Sequence, residues 1–150
     1  MAGFAEITGP NTLANAGGVF SGIGFGFTAT SAFLSGSVNL TNTTTYFDGP
    51  TIAQGNVGTW FVTGTVTVLD NNGSATFKVK LWDGITVIAS AAANVVGATG
   101  ITSVTVSGFI QSPANNLRIS VLDATSTGGV IEFNITGLSM DSNITAVRIA

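Results

Sequence analysis

Histidine and cysteine are both absent from the 150 residues, and the charged side chains number only four Lys or Arg and seven Asp or Glu. Without His or Cys, the sequence excludes zinc fingers, haem ligation through those residues, thiol chemistry, a Ser-His-Asp triad and a disulfide framework. Charged residues make up 7% of the chain, against about 25% in a typical soluble domain. Spread over a folded monomer of this length, that is about one charge per 600 Å², so uncharged patches of about 800 Å², one partner's share of a standard interface, fit between them. Positive charge is scarcest: no Lys or Arg precedes Lys78, and the net charge is −3. Phosphate neutralisation has little to work with, which excludes nucleic acid as a partner and a coat protein with a basic packaging arm.

Long hydrophobic runs are lacking too. The most membrane-like window, Gly84 to Ile101, is interrupted by Ser90, Asn94 and two Thr and follows the turn pair Asp83-Gly84, so no membrane span is expected. Thirteen aromatics are too few to supply both a core and the two girdles of an outer-membrane barrel. The opening MAGFAEITGPNTL has no basic n-region and no useful apolar h-region, which predicts a protein made and used without a signal peptide. Disorder is excluded by a 45% hydrophobic content and a mean hydropathy of +0.52, the reverse of the disordered signature.

What the chain does have is period-two alternation rich in Val, Ile, Thr and Phe from about Ala32 to the end. Trp60, Val62, Gly64, Val66 and Val68 share one strand face, and Phe61, Thr63, Thr65 and Thr67 share the other. In the next run Phe77, Val79 and Leu81 alternate with Thr76, Lys78, Lys80 and Trp82. Asp70-Asn71-Asn72-Gly73-Ser74 reads as a hairpin loop between them, and Asp83-Gly84 as a two-residue type I′ turn into Ile85-Thr86-Val87-Ile88. Three consecutive antiparallel strands are therefore predicted over Gly58 to Ala91. Further strands are predicted at Leu34–Leu40, Thr102–Gln111, Asn116–Leu122, Val130–Thr136 and Ile144–Ile149, with a short one at Thr45–Phe47. The fold class is all-β: an antiparallel β-sandwich or jelly roll of about eight strands. A Gly/Phe-rich arm over residues 1–31, ending in GGVFSGIGFGFTATS, precedes the sandwich domain of residues 32–150 and cannot order itself from its own contacts.

Candidate chemistry is sparse. A glycosidase needs two carboxylates about 5 to 10 Å apart, but Asp70, Asp83, Asp123 and Asp141 all open turns, where Asp bonds its own backbone, and Glu132 reads as solvent-facing. No enzyme, metal or cofactor is expected: the EF-hand pattern is missing, and the N-terminal glycines are followed by neither the Lys nor the helix of a phosphate loop. Lys78, Lys80 and Trp82 form a stripe that fits a glycan or an acidic partner, or simply guards a sheet edge.

The block from Phe47 to Ala91, with its GTWF and KLWDG segments, followed by SVTVSGFI, resembles small virion proteins of tailed bacteriophages, the head decoration proteins and fibre tips. The resemblance covers roughly Ala32 to Ala150 and implies a compact sandwich or jelly roll, often like the trimeric tumour-necrosis-factor head. It implies a non-enzymatic structural protein located in the virion, with itself as homotrimer and a major capsid or other virion protein as partners, on the outside of a phage capsid or in a fibre. On that reading Phe20, Phe25 and Phe27 of the arm, with Val147 and Ile149 of the last strand, contribute contacts between chains. The alternatives are a carbohydrate-binding or adhesive module using Trp60 or Trp82, and a coat or tube subunit, which copy number per particle distinguishes. The shortage of charge before Phe77 points to the N-terminal half as the contact surface.

Overall fold

A computed structural model describes residues 28–150. Among these the chain forms ten strands and no helix: β1 (Ala29–Phe33), β2 (Val38–Leu40), β3 (Phe47–Ile52), β4 (Thr59–Asp70), β5 (Ala75–Trp82), β6 (Val87–Val95), β7 (Ile101–Gln111), β8 (Leu117–Asp123), β9 (Gly129–Glu132) and β10 (Asn143–Arg148). They make an antiparallel sandwich. One sheet has six strands, in the order β1-β10-β4-β9-β2 with β7 on the other edge of β4; the second has four, in the order β3-β8-β5-β6.

The 12-residue β4 is the spine of the larger sheet. Along one edge β7 pairs with it from Thr59–Gln111 to Leu69–Ile101. Along the other, β10 covers Trp60 to Thr65 and β9 covers Thr67 to Asp70. The alternation read from the sequence sets the core. Trp60, Val62, Val66 and Val68 point inward from β4 and join Phe77, Val79 and Leu81 of β5 and Ile119 and Val121 of β8 in one buried cluster. Each such side chain contributes about 1.5 to 3 kcal/mol on burial.

Two turns differ from expectation. The loop after Asp70 is not a hairpin: β4 and β5 belong to different sheets. Both edges of β4 are already taken, and inward-facing alternation is equally consistent with two strands that face each other across a core as with two that pair. The Asp83-Gly84 turn is longer than two residues, since Trp82 pairs with Val87 and the register shifts there. The Asp83 carboxylate accepts the N–H groups of Ile85 and Thr86 at 2.9 and 2.6 Å and that of Ala114 at 2.7 Å, drawing the loop around itself. Gly84, at φ 91°, supplies the left-handed residue this path needs. Elsewhere, Leu34–Leu40 shortens to β2, Val130–Thr136 to β9, Thr45–Phe47 shifts to β3, and β1 begins within the stretch read as the arm.

Asp70, Asp83 and Asp123 repeat one device, each accepting the N–H groups two and three residues ahead. At one end of the sandwich the Ser126 hydroxyl lies 2.6 Å from Asp70 Oδ2 and 3.1 Å from Asp123 Oδ2, clasping two buried carboxylates. Burial pushes the Asp70 carboxyl up, yet the hydrogen bonds from Ser126 and the Asn72 N–H, with Asp123 and Gly73, outweigh it and hold the pKa below its ordinary value. Burial likewise raises Asp83, and the N–H groups of Thr86, Ala114 and Ile85 pull it below the ordinary value. A side chain at Gly129 would sit 2.7 Å from Asp123 Oδ2 and 2.9 Å from Phe77 Cε1, so the clasp packs directly on the β9 backbone. These turn Asp residues thus bond the backbone just ahead of them, as their positions in the sequence indicated.

Candidate functional site

The sandwich presents two broad outer faces, and their chemistry is opposite. On the six-stranded sheet, residues opposite one another in register form rows across β1, β10, β4 and β7. They are Ala29, Val147, Phe61 and Phe109; then Ser31, Thr145, Thr63 and Ser107; then Phe33, Asn143, Thr65 and Thr105. None of these twelve is charged. The Phe61 and Phe109 rings pack with centroids 5.1 Å apart at 51°, while Phe109 remains 64% exposed. Hydroxyls bond within the sheet, Ser31 to Thr145, Thr65 to Thr105 and Thr67 to Ser103, each at 2.8 Å. Beyond the third row Glu132, bonded by the Ser37 hydroxyl at 2.6 Å, marks the end of the uncharged area. The loop from Phe133 to Ser142 runs beside this face, since Thr67 Oγ1 donates to Asp141 O at 3.0 Å and Asn143 Nδ2 to Met140 O at 3.2 Å. It exposes Leu138 and Met140.

The expected contact residues divide accordingly. Val147 lies half-buried in the first row between Ala29 and Phe61. Ile149 follows β10, exposed, with its N–H donating to Thr59 O at 2.8 Å. Phe20, Phe25 and Phe27 lie outside the described residues. The uncharged surface is also broader than the N-terminal half, because β7 and β10 supply as much of it as β4. Phe109 was missed for that reason: nothing in SVTVSGFI tells that its odd-numbered residues adjoin Phe61.

The outer face of the four-stranded sheet gathers the charge. Lys78, Lys80 and Trp82 alternate with the buried Phe77, Val79 and Leu81, as expected. Register sets Ser120 beside Lys80 and Arg118 beside Trp82 on β8, with Asp48 of β3 beside Ser120. The Lys80 ammonium lies 3.3 Å from the Trp82 ring centroid and 4.2 Å from that of Tyr46. Trp82 Nε1–H donates to Ser120 Oγ at 2.7 Å, Ser120 donates to Asp48 Oδ1 at 2.6 Å, and Asp48 Oδ2 holds the Arg118 guanidinium at 2.8 Å. Burial lowers the Lys80 pKa, Asp48 opposes that and Arg118 adds to it. The stripe is no edge guard, because β5 lies between β8 and β6, inside the sheet. Tyr46, Asp48, Ser120 and Arg118 complete the cluster from strands far away in sequence.

Trp60 is 3% exposed and donates Nε1–H to Val57 O at 3.1 Å, so it is core. Trp82 is half-buried with Lys80 over its ring, which removes the open platform that sugar stacking requires. No group of three His, Cys, Asp or Glu side chains suited to a metal ion occurs among the described residues.

No family model matches the sequence, and no curated protein does. Solved structures are similar in fold. A structure of Eiger TNF from S. frugiperda superposes with a TM-score of 0.55 at 13% identity over 83% of this chain and 93% of that one. PRD1 vertex protein P5 gives 0.39 at 16% identity over 81% and 96%. A carbohydrate-binding module of Cellvibrio mixtus lichenase 5A in complex with cellotriose gives 0.34 at 11% over 81% and 97%. The first of these places the chain in a TNF-like jelly-roll fold.

Proposed function

We propose that this chain is a structural, non-enzymatic virion protein that assembles as a homotrimer through the outer face of its six-stranded sheet and binds the outside of a phage capsid or forms part of a fibre. The observation that carries the reading is the uncharged face. Three rows across four strands cover about 400 Å² of sheet at ordinary strand spacing. Leu138 and Met140 extend it toward the roughly 800 Å² that a standard interface takes from each partner. Such a face excludes charged partners, which would have to bury an unpaired ion against it, and accepts an uncharged surface; in a three-fold ring it meets a different patch of the next copy. Contacts of this kind are little affected by salt, and a protein without Cys needs no reducing environment outside the cell.

Phe20, Phe25 and Phe27 then add contacts between chains from the arm, and Val147 and Ile149 from the sheet. Sedimentation velocity on the purified chain, with rebinding to virions lacking it, tests the reading. A trimer at micromolar concentration that restores to the particles is expected. A stable monomer that fails to bind them would sink the proposal.

A further inference from the structure

We infer that the opposite face, the outer surface of the four-stranded sheet, is a docking surface for an acidic protein surface. Three of the chain's four basic residues, Lys78, Lys80 and Arg118, stand on it against a single carboxylate, Asp48, in a chain whose net charge is −3. Lys78 is exposed and forms no ion pair among the described residues. Because β5 is an interior strand, edge protection does not explain these lysines. Partial burial also disfavours the Lys80 ammonium.

The face is ordered before any partner arrives. Lys80 rests on Tyr46 and Trp82, and the chain of bonds from Trp82 through Ser120 and Asp48 to Arg118 fixes those side chains, leaving Lys78 exposed beside them. Binding therefore loses little side-chain freedom, and Trp, Tyr and Arg are the residue types that dominate interface energetics. Charge complementarity selects carboxylates as the matching groups. A broad sheet face suits a protein surface, and the Lys80 ammonium over both rings argues against a stacked sugar. The inference rests on the virion reading only for where the partner resides. The two faces lie on opposite sides of the sandwich, so self-association through one leaves the other open.

The full chain is titrated against a fluorescein-labelled ten-residue polyglutamate peptide, and in parallel against a sialylated glycan array, at 50 and 300 mM NaCl, with sedimentation on the same samples. Peptide binding is expected at low salt, weaker by at least about fivefold in Lys78→Glu, weaker again at high salt, and unchanged in Arg148→Glu on the other sheet. The Lys78 variant, altered at an exposed side chain, is expected to keep the wild-type oligomeric state. Equal peptide binding by wild type and Lys78→Glu, equal weakening in Arg148→Glu, or glycan binding without peptide binding would each overturn the inference. Loss of the trimer with intact peptide binding would instead count against the self-association reading alone.

Discussion

The two outer faces come from the same sandwich and the same alternation, yet one is nearly free of charge and the other holds three of four cations. On the six-stranded face, hydrogen bonds run between adjacent hydroxyls, and the exposed pairs, Thr65 to Thr105 and Ser31 to Thr145, can be lost without orphaning a buried group. On the four-stranded face they form one connected chain through the fully buried Ser120. The contrast teaches that low overall charge is not uniform here. The interior of one sheet face is cleared of ions, while those that remain are concentrated and braced on the other.

The largest expected effect comes from breaking that asymmetry. Thr145→Arg places a cation in the second row of the uncharged face, beside Thr63 and Ser31. In a monomer the Arg reaches water and folding is barely changed. In a self-association interface it is an unpaired buried charge, costing about 3 kcal/mol or more. Sedimentation equilibrium is expected to show association weakened by about a hundredfold or more, with the urea midpoint of the monomer retained. Unchanged association would place the interface elsewhere.

Stability separates the faces next. Ser120→Ala leaves the Trp82 N–H without its acceptor and Asp48 Oδ1 without the Ser120 donor, a loss of about 1 to 3 kcal/mol, whereas Thr105→Ala on the other face should cost about 0.5 kcal/mol or less. Urea unfolding of the two variants measures the difference. Equal costs would show that the cationic face is not a connected network.

Acid acts on the Asp turns. The folded-state pKa values of Asp70 and Asp83 lie below the ordinary 3.8, so the unfolded chain binds protons first as pH falls. Their stabilisation is complete above about pH 4 and is lost as pH drops through the folded values. Urea midpoints taken from pH 5 to pH 2 should fall in that window, and Asp70→Asn, which keeps the Oδ1 acceptor but not the titration, should flatten the slope. Self-association, measured above the unfolding pH, should stay level, because the three uncharged rows contain no titrating group.

Much of this arrangement was legible in the sequence. The alternation around Trp60 and Phe77 located the core, and the Leu-Asp endings of β4 and β8 marked turns that the structure closes in the same way. What sequence could not supply is which strands adjoin. Period two states only that a side chain faces one of two sides, so β4 and β5 looked like a hairpin when they pack across the core. The Lys78-Lys80-Trp82 stripe was visible, but Ser120, 40 residues from Lys80 in chain numbering, becomes its neighbour only through β5–β8 pairing. β1, with the sequence ATSAF, carries too few large apolar residues to declare itself; its place is fixed by the edge that β10 offers.

The smallest expected effect is the most discriminating about how the uncharged face works. Thr65 and Thr105 already bond each other, so a partner meets mainly their methyl groups if the interface is apolar. Replacing both with Val preserves shape, removes donor and acceptor together and suits a strand slightly better. Monomer stability should then change by no more than about 0.5 kcal/mol, and association should hold or tighten, by about twofold at most. Sedimentation that instead showed a loss of about tenfold, 1.4 kcal/mol, would mean that a neighbouring chain bonds these hydroxyls directly, and the face would then be a hydrogen-bonded interface specified by its Thr ladder instead of one defined by the exclusion of charge.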